Sequence, residues 1–246
     1  MTPLLTLAIG LVALLYASVG HAGATGYIAV MTLSGLAPEV IRPTALMLNV
    51  VVASIASVQF LRAGHFRGRL YWPLAAASVP CAVLGGTLRL PTDAFESLVG
   101  VVLVVSALRL VHDAWPRRAV RIAPPAVPPA PAVLAAVGGG IGLLAGLTGV
   151  GGGVFLTPLL LALRAAPVRE VAAITAPFIL VNSLAGLGGG VVAGRPLPSI
   201  ALPVVAAAVG GAAIGAQLGA FRLPVRALQL LMAAVLTIAS AKLFGL

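Results

Sequence analysis

The chain has 246 residues, of which 61% are hydrophobic and only 8% charged, with a mean hydropathy of +1.15; this composition excludes an ordinary water-soluble globular domain. The formal net charge is +10, but the basic residues lie between apolar segments and form no stripe interleaved with aromatics, which excludes a nucleic-acid partner and leaves membrane topology as the reason for the charge. Cys81 is the single cysteine, so an intrachain disulfide is excluded and this residue reads as a small buried apolar side chain.

In chain order, the first apolar segment runs over about residues 3–34. It begins MTPLLTLAIG without a basic n-region, so it is expected to remain in the mature protein and not to be cleaved as a signal peptide. A continuous helix of about 32 residues would measure roughly 48 Å, longer than a hydrocarbon core of about 30 Å. The stretch SVGHAGATG interrupts it near its middle. Two arms of about 13 residues would each reach roughly 20 Å, enough to enter the membrane, turn at depth and leave on the same side. Three helices are predicted next, near 44–62, 71–88 and 94–112, completing a first membrane repeat over 1–112. Residues 113–131 hold six prolines and three arginines, a composition that cannot form a helix interior and reads as a cytoplasmic linker. The second repeat, 132–246, opens with an apolar segment over about 132–163 broken by LTGVGGG, followed by helices near 171–193, 198–217 and 224–245.

The two halves carry the same landmarks in the same order. Gly20 matches Gly149, Pro38 matches Pro167, Gly64 matches Gly194, Pro73 matches Pro203, and Arg89-Leu90-Pro91 matches Arg222-Leu223-Pro224. If each broken segment is a re-entrant hairpin, each half crosses three times and the halves insert in opposite orientations. That arrangement puts eleven basic residues on the cytoplasmic side against four outside, whereas single crossings would give nine against six; the positive-inside rule favours the hairpins. The predicted architecture is an all-α integral membrane protein with eight hydrophobic segments: a duplicated, inverted repeat, each half a glycine-broken hairpin plus three transmembrane helices.

Non-helical backbone at membrane depth is tolerated only where protein buries it or a watery cavity meets it. The breaks are therefore the candidate solute site. Half-helices are predicted to restart near Thr25 and Gly153, and their first N–H groups, with the positive dipole end, suit an anion. The blander reading is that the glycines only permit close helix packing, as Gly138, Gly139, Gly140, Gly210 and Gly211 are expected to do. His21 is an ionisable group predicted within the membrane, but its counterpart is Val150, and a neutral packing histidine is an equal reading. Among polar residues expected at depth, Asn49, Asn182, Thr25 and Thr148 are the chosen candidates for solute contact; the others are expected to join helices by hydrogen bonds. The acids Glu39, Asp93, Glu96, Asp113 and Glu170 all fall at predicted helix ends or in loops. No carboxylate cation site is therefore expected, and no Ser/His/Asp or HExxH arrangement for an intramembrane enzyme is visible. No cofactor is expected.

The stretches GLTGVGGGVFLTPLLL (Gly146–Leu161) and YASVGHAGATGYIAVM (Tyr16–Met31) resemble the sulfite exporter TauE/SafE family, and the resemblance covers nearly the whole chain. It implies a multi-pass inner-membrane permease for sulfur-containing anions such as sulfite, thiosulfate or organosulfonates. Carried over by position, the motif residues are Gly149, Gly151, Gly152 and Gly153, with Gly20, Gly23 and Gly26 as less regular partners. Ala22 and Ala24 stand where the second half has Gly151 and Gly153.

Taken together, the residues and the resemblance predict a permease for small anions that works by alternating access at a midplane site between the two breaks. The alternatives are an intramembrane lipid-handling enzyme and an accessory membrane subunit. The expected partners are a small anionic solute and the lipid bilayer, with homo-oligomerisation left open.

Overall fold

The computed structural model describes residues 3–18, 21–62, 64, 66–88, 91–114, 129–163, 165–166, 168–220, 237, 240–241 and 244. Nine helices and no strand occur among them: α1 (Pro3–Ser18), α2 (Ala24–Leu33), α3 (Pro38–Arg62), α4 (Gly68–Thr87), α5 (Thr92–Ala114), α6 (Pro131–Thr148), α7 (Gly153–Ala162), α8 (Val168–Val192) and α9 (Leu202–Ala220). Apart from Thr237, Ser240, Ala241 and Phe244, the helix predicted near 224–245 lies outside the described residues, as does the proline-rich stretch 115–128.

The helices are apolar on every side. α1 buries Ile9, Val12 and Ala13 while exposing Leu4, Leu7 and Leu11, and Trp72, Leu108, Val192 and Leu202 also face outward. A helix hydrophobic all round belongs in lipid or in the core of a large protein. Pro38–Arg62, Gly68–Thr87, Pro131–Thr148 and Glu170–Val192 are long and apolar enough to cross a membrane. This is a multi-pass, all-helical membrane protein.

Small residues set the helix crossings. A Cβ built on Gly138 would run into the backbone of Leu74, one on Gly142 into Ser78, and one on Gly146 into Ala82. The pairs advance together, so α4 and α6 run parallel, backbone against backbone. The same arrangement joins α1 and α9, where Gly211 abuts Gly10 and Gly215 abuts Leu14. In lipid, where apolar tails compete equally for a leucine, close backbone approach is what holds helices together.

The direction of α7 follows from two contacts. Gly138 places the start of α6 beside the start of α4, and the Arg67–Glu170 ion pair, at 2.5 Å, places the start of α8 at that same end. Between them α6 advances to Ala82, so α7 brings the chain back. The arms are unequal, 18 residues in α6 against 10 in α7, and 16 against 10 in α1 and α2. The expectation of two arms of about 13 residues is thus corrected. α6 continues until Gly149, whose left-handed backbone (φ 82°) terminates it as its N–H donates to Ala145 O at 2.9 Å.

α3 and α8 form a central pair. They run antiparallel: Asn49 meets Ser183 at mid-helix, while Arg42 near the start of α3 and Arg195 just beyond α8 reach the same end of α4. α2 packs on α3, and α7 on α8. α3 begins at Pro38, earlier than the predicted 44, and this draws Arg42 into a helix and out of the loop.

Candidate functional site

Both broken segments turn on glycines held at positive φ. At the second break these are Gly149, Gly151 (75°) and Gly152 (84°), a region that costs other L-residues about 1–2 kcal/mol. Space imposes the same choice. A Cβ on Gly151 would lie 2.6 Å from Asn49 Nδ2 and 3.0 Å from Ser183 Oγ, and one on Gly152 would lie 2.8 Å from Ile141 Cγ2. On Gly153 it would collide with Ile179. Gly149, Gly151, Gly152 and Gly153 are all buried.

The polar groups around this turn come from several elements. Asn49 on α3 donates from Nδ2 to Val150 O and to Ser183 Oγ, both at 3.4 Å, while its buried Oδ1 has no hydrogen-bond partner in the protein. Thr148 is engaged locally: its hydroxyl donates to Leu144 O at 2.7 Å and accepts from Val150 N–H at 3.3 Å. The N–H groups of Gly151 and Gly152 donate no hydrogen bond among the described residues, although Phe155 and Leu156 N–H both close back on Gly152 O. Buried amides normally find partners, so two adjacent unspent donors at the N-terminus of α7 form an anion-suited corner.

The first break is built differently. Gly20 lies outside the described residues. His21 sits in the non-helical turn, partly exposed, with its N–H donating to Tyr16 O at 2.9 Å. Gly23 is the N-cap of α2 at φ 94°, and its neighbours are Tyr27 and Tyr16: a Cβ there would lie 3.2 Å from the Tyr27 hydroxyl. Thr25 shares a hydrogen bond of 2.7 Å with Tyr16 Oη across the two arms. Gly26 is buried in the first turn of α2. Tyr27 Oη is buried without a partner in the protein. Sequence reading passed over Tyr16 and Tyr27; the signal available was their placement on either side of the break within an otherwise aliphatic segment.

Asn182 is not brought to either break by a hydrogen bond. It donates to Ser78 Oγ at 3.1 Å and to Phe178 O at 2.8 Å, facing α4. The offset between the matched landmarks explains this: Pro38 to Pro167 and Gly64 to Gly194 set Asn49 opposite Phe178 or Ile179, not opposite Asn182. The two breaks nevertheless share a core, because Val150 belongs to the same buried cluster as Ala22, Ala24 and Tyr27. Among the described residues no carboxylate is buried; Glu39 and Asp93 are exposed, and Glu170 pairs with Arg67.

Two comparisons with known proteins found matches. The sequence profile described as "Sulfite exporter TauE/SafE" matches residues 5–243. The chain is also 42% identical over 195 residues to "Probable membrane transporter protein y4hK" of Sinorhizobium fredii (strain NBRC 101917 / NGR234), covering 79% of this chain and 78% of the relative. No solved structure matches it significantly. A profile match across almost every residue, including both glycine-broken segments, places the chain in the sulfite exporter TauE/SafE family.

Proposed function

We propose that this protein is an inner-membrane permease for small sulfur-containing anions, such as sulfite, thiosulfate or an organosulfonate, and that the anion binds at the glycine breaks. The observation that carries this reading is the pair of unspent, buried N–H donors of Gly151 and Gly152 at the start of α7, beside Asn49 and without a buried carboxylate nearby. Such a corner carries no carboxylate charge to repel an anion or to neutralise a bound divalent cation. Gly149, Gly152 and Gly153 supply the turn and the close approach; Gly20, Gly23, Gly26, Thr25 and Tyr27 are the corresponding groups of the first break. His21 and Asn182 are secondary candidates.

The mechanism in this reading is alternating access between the halves of an inverted repeat. The antiparallel α3–α8 pair supports inversion, since a parallel duplication would align these helices. The matched crossings of α1 with α9 and of α6 with α4 support the duplication itself, because exchanging the halves maps one pair onto the other. Each arm pair is then a re-entrant hairpin, with both termini outside and residues 113–131 cytoplasmic. An inside-negative potential assists outward anion movement by about 2.3 kcal/mol per charge per 100 mV, so export needs no nucleotide.

The test is flux of labelled sulfite, thiosulfate and a small organosulfonate into proteoliposomes, comparing wild type, Gly152→Leu and empty vesicles. Saturable flux that the substitution abolishes is expected. Folded wild-type protein that moves none of them, under either a potential or a pH gradient, refutes the sulfur-anion assignment.

A further inference from the structure

Arg42 and Arg195 are 153 positions apart in the chain and converge on the last turn of α4. Arg42 donates from Nη1 to Leu88 O at 3.2 Å and from Nη2 to Gly85 O at 2.6 Å and Gly86 O at 3.1 Å. Arg195 donates to Leu88 O at 3.5 Å and to Gly86 O. A helix C-terminus carries about −0.5 of an elementary charge. That is a good reason to find one cation there and a weak one for two.

Both arginines are among the residues lining a cavity of about 630 Å³, otherwise walled largely by apolar residues such as Pro43, Leu46, Phe95 and Leu187. This size lies within the range of small-molecule sites. Glu39 is the one carboxylate on the wall, and it is exposed. Arg42 is only 8% exposed, and among the described residues it makes no ion pair with a carboxylate. A guanidinium has five N–H donors; the three bonds of Arg42 leave its Nε unused.

Arg42 connects the cavity to the second break. A Cβ built on Gly149 would lie 2.9 Å from Arg42 O and 3.1 Å from Arg42 Cγ, so the backbone and stem of Arg42 pack on the turn while its head reaches the end of α4. The Arg67–Glu170 pair marks the opposite end of α4, where Arg62, Arg67 and Arg69 cluster. Under the positive-inside rule that end is cytoplasmic and the cavity opens outward.

We infer that the Arg42–Arg195 cavity is a second anion site, an outer vestibule that holds a small oxyanion next to the glycine break. The identity of its ligand rests on the anion-permease reading above. Two converging cations in an apolar-walled recess attract an oxyanion, and a planar guanidinium pairs with two of its oxygens at once. During export the vestibule would receive the anion released from the break.

Arg195→Gln tests this, because Arg42 still caps α4 in that variant. Equilibrium binding of ³⁵S-labelled thiosulfate and sulfate to purified protein in detergent, together with flux in proteoliposomes, is measured for wild type, Arg195→Gln, Arg195→Lys and Gly152→Leu, each checked for monodispersity. Arg195→Gln is expected to weaken binding and raise the half-saturation concentration about tenfold, with Arg195→Lys in between. Gly152→Leu is expected to lose flux yet retain binding in the vestibule. If folded Arg195→Gln binds as wild type does, or if Gly152→Leu loses all binding, the vestibule is overturned. Gly152-dependent flux with an unchanged half-saturation in Arg195→Gln overturns the vestibule alone, whereas wild type that neither binds nor moves any probe overturns the permease reading as well.

Discussion

The two glycine breaks occupy matched places in the chain but are closed by different means. At the first, the arms close on each other: Tyr16 of α1 and Thr25 of α2 share a hydrogen bond, and Tyr27 lies over Gly23. At the second, the turn is closed by other helices, with Asn49 reaching in from α3 and Ile179 and Ser183 from α8. Away from the breaks the two crossings are alike: glycines of α6 and of α9, both in the second half, lie against the backbone of a parallel helix of the first half, α4 and α1. The helix crossings are thus alike, where backbone contact leaves little freedom, while the turns differ. The second break is held by α3 and α8 together, so in the alternating-access reading proposed above it is the break whose geometry responds to movement between the halves.

The largest effect that would sharpen this contrast is expected from Gly152→Leu. Its side chain must enter at φ 84°, against Ile141 and Phe178, so proteoliposome flux should fall to the level of empty vesicles. Gly151→Ala should combine about 1–2 kcal/mol of backbone strain with about 1–3 kcal/mol of overpacking. Gly23→Ala should cost about 1–2 kcal/mol, mainly backbone strain, because Tyr27 presents the far end of its ring to the new methyl. Thermal unfolding in detergent measures both, and equal losses would remove the distinction between the breaks.

The likeness of the halves elsewhere is tested by Gly142→Ala and Gly211→Ala. Each puts a methyl into a neighbouring backbone, and both should lower stability by about 1–3 kcal/mol, with Gly140→Ala, which meets open space, as a near-neutral control. A large loss at one crossing only would contradict their equivalence. Asn49→Ala removes two weak hydrogen bonds and leaves Val150 O buried without that donor. A loss of about 1–3 kcal/mol and a clear rise in half-saturation are expected. Tyr16→Phe, which breaks only the Tyr16–Thr25 pair, should cost about 0.5–1.5 kcal/mol and change flux less. His21→Val, which copies the second half's Val150, should have the smallest effect; a flux loss beyond about twofold would give His21 a role that the duplicated pattern does not require.

Much of this was legible in residue order. Composition called for lipid, and the recurrence of Gly, Pro and Arg-Leu-Pro landmarks exposed two similar halves. The glycine breaks were visible because glycine at a buried turn leaves a mark that no other residue can imitate. The surroundings of Asn182 were not legible, because a polar residue inside an apolar helix looks the same whether it faces a solute or, as here, donates to Ser78 on a neighbour. Arg42 and Arg195 read as loop residues because basic residues at segment ends usually are. Their convergence depends on where α4 ends and on how α3 and α8 cross, which sequence spacing does not contain.

By itself, then, the sequence determined the solvent of this protein, the approximate placement of its described helices and the positions where the first and sixth of them break, since all three follow from local composition and backbone sterics. Only the tertiary structure decided that the arms are unequal, that α3 and α8 run antiparallel, and that Asn49 meets the second break while Asn182 turns away. Those outcomes depend on which small-residue surfaces approach most closely, and that is a property of pairs of helices, not of any one segment.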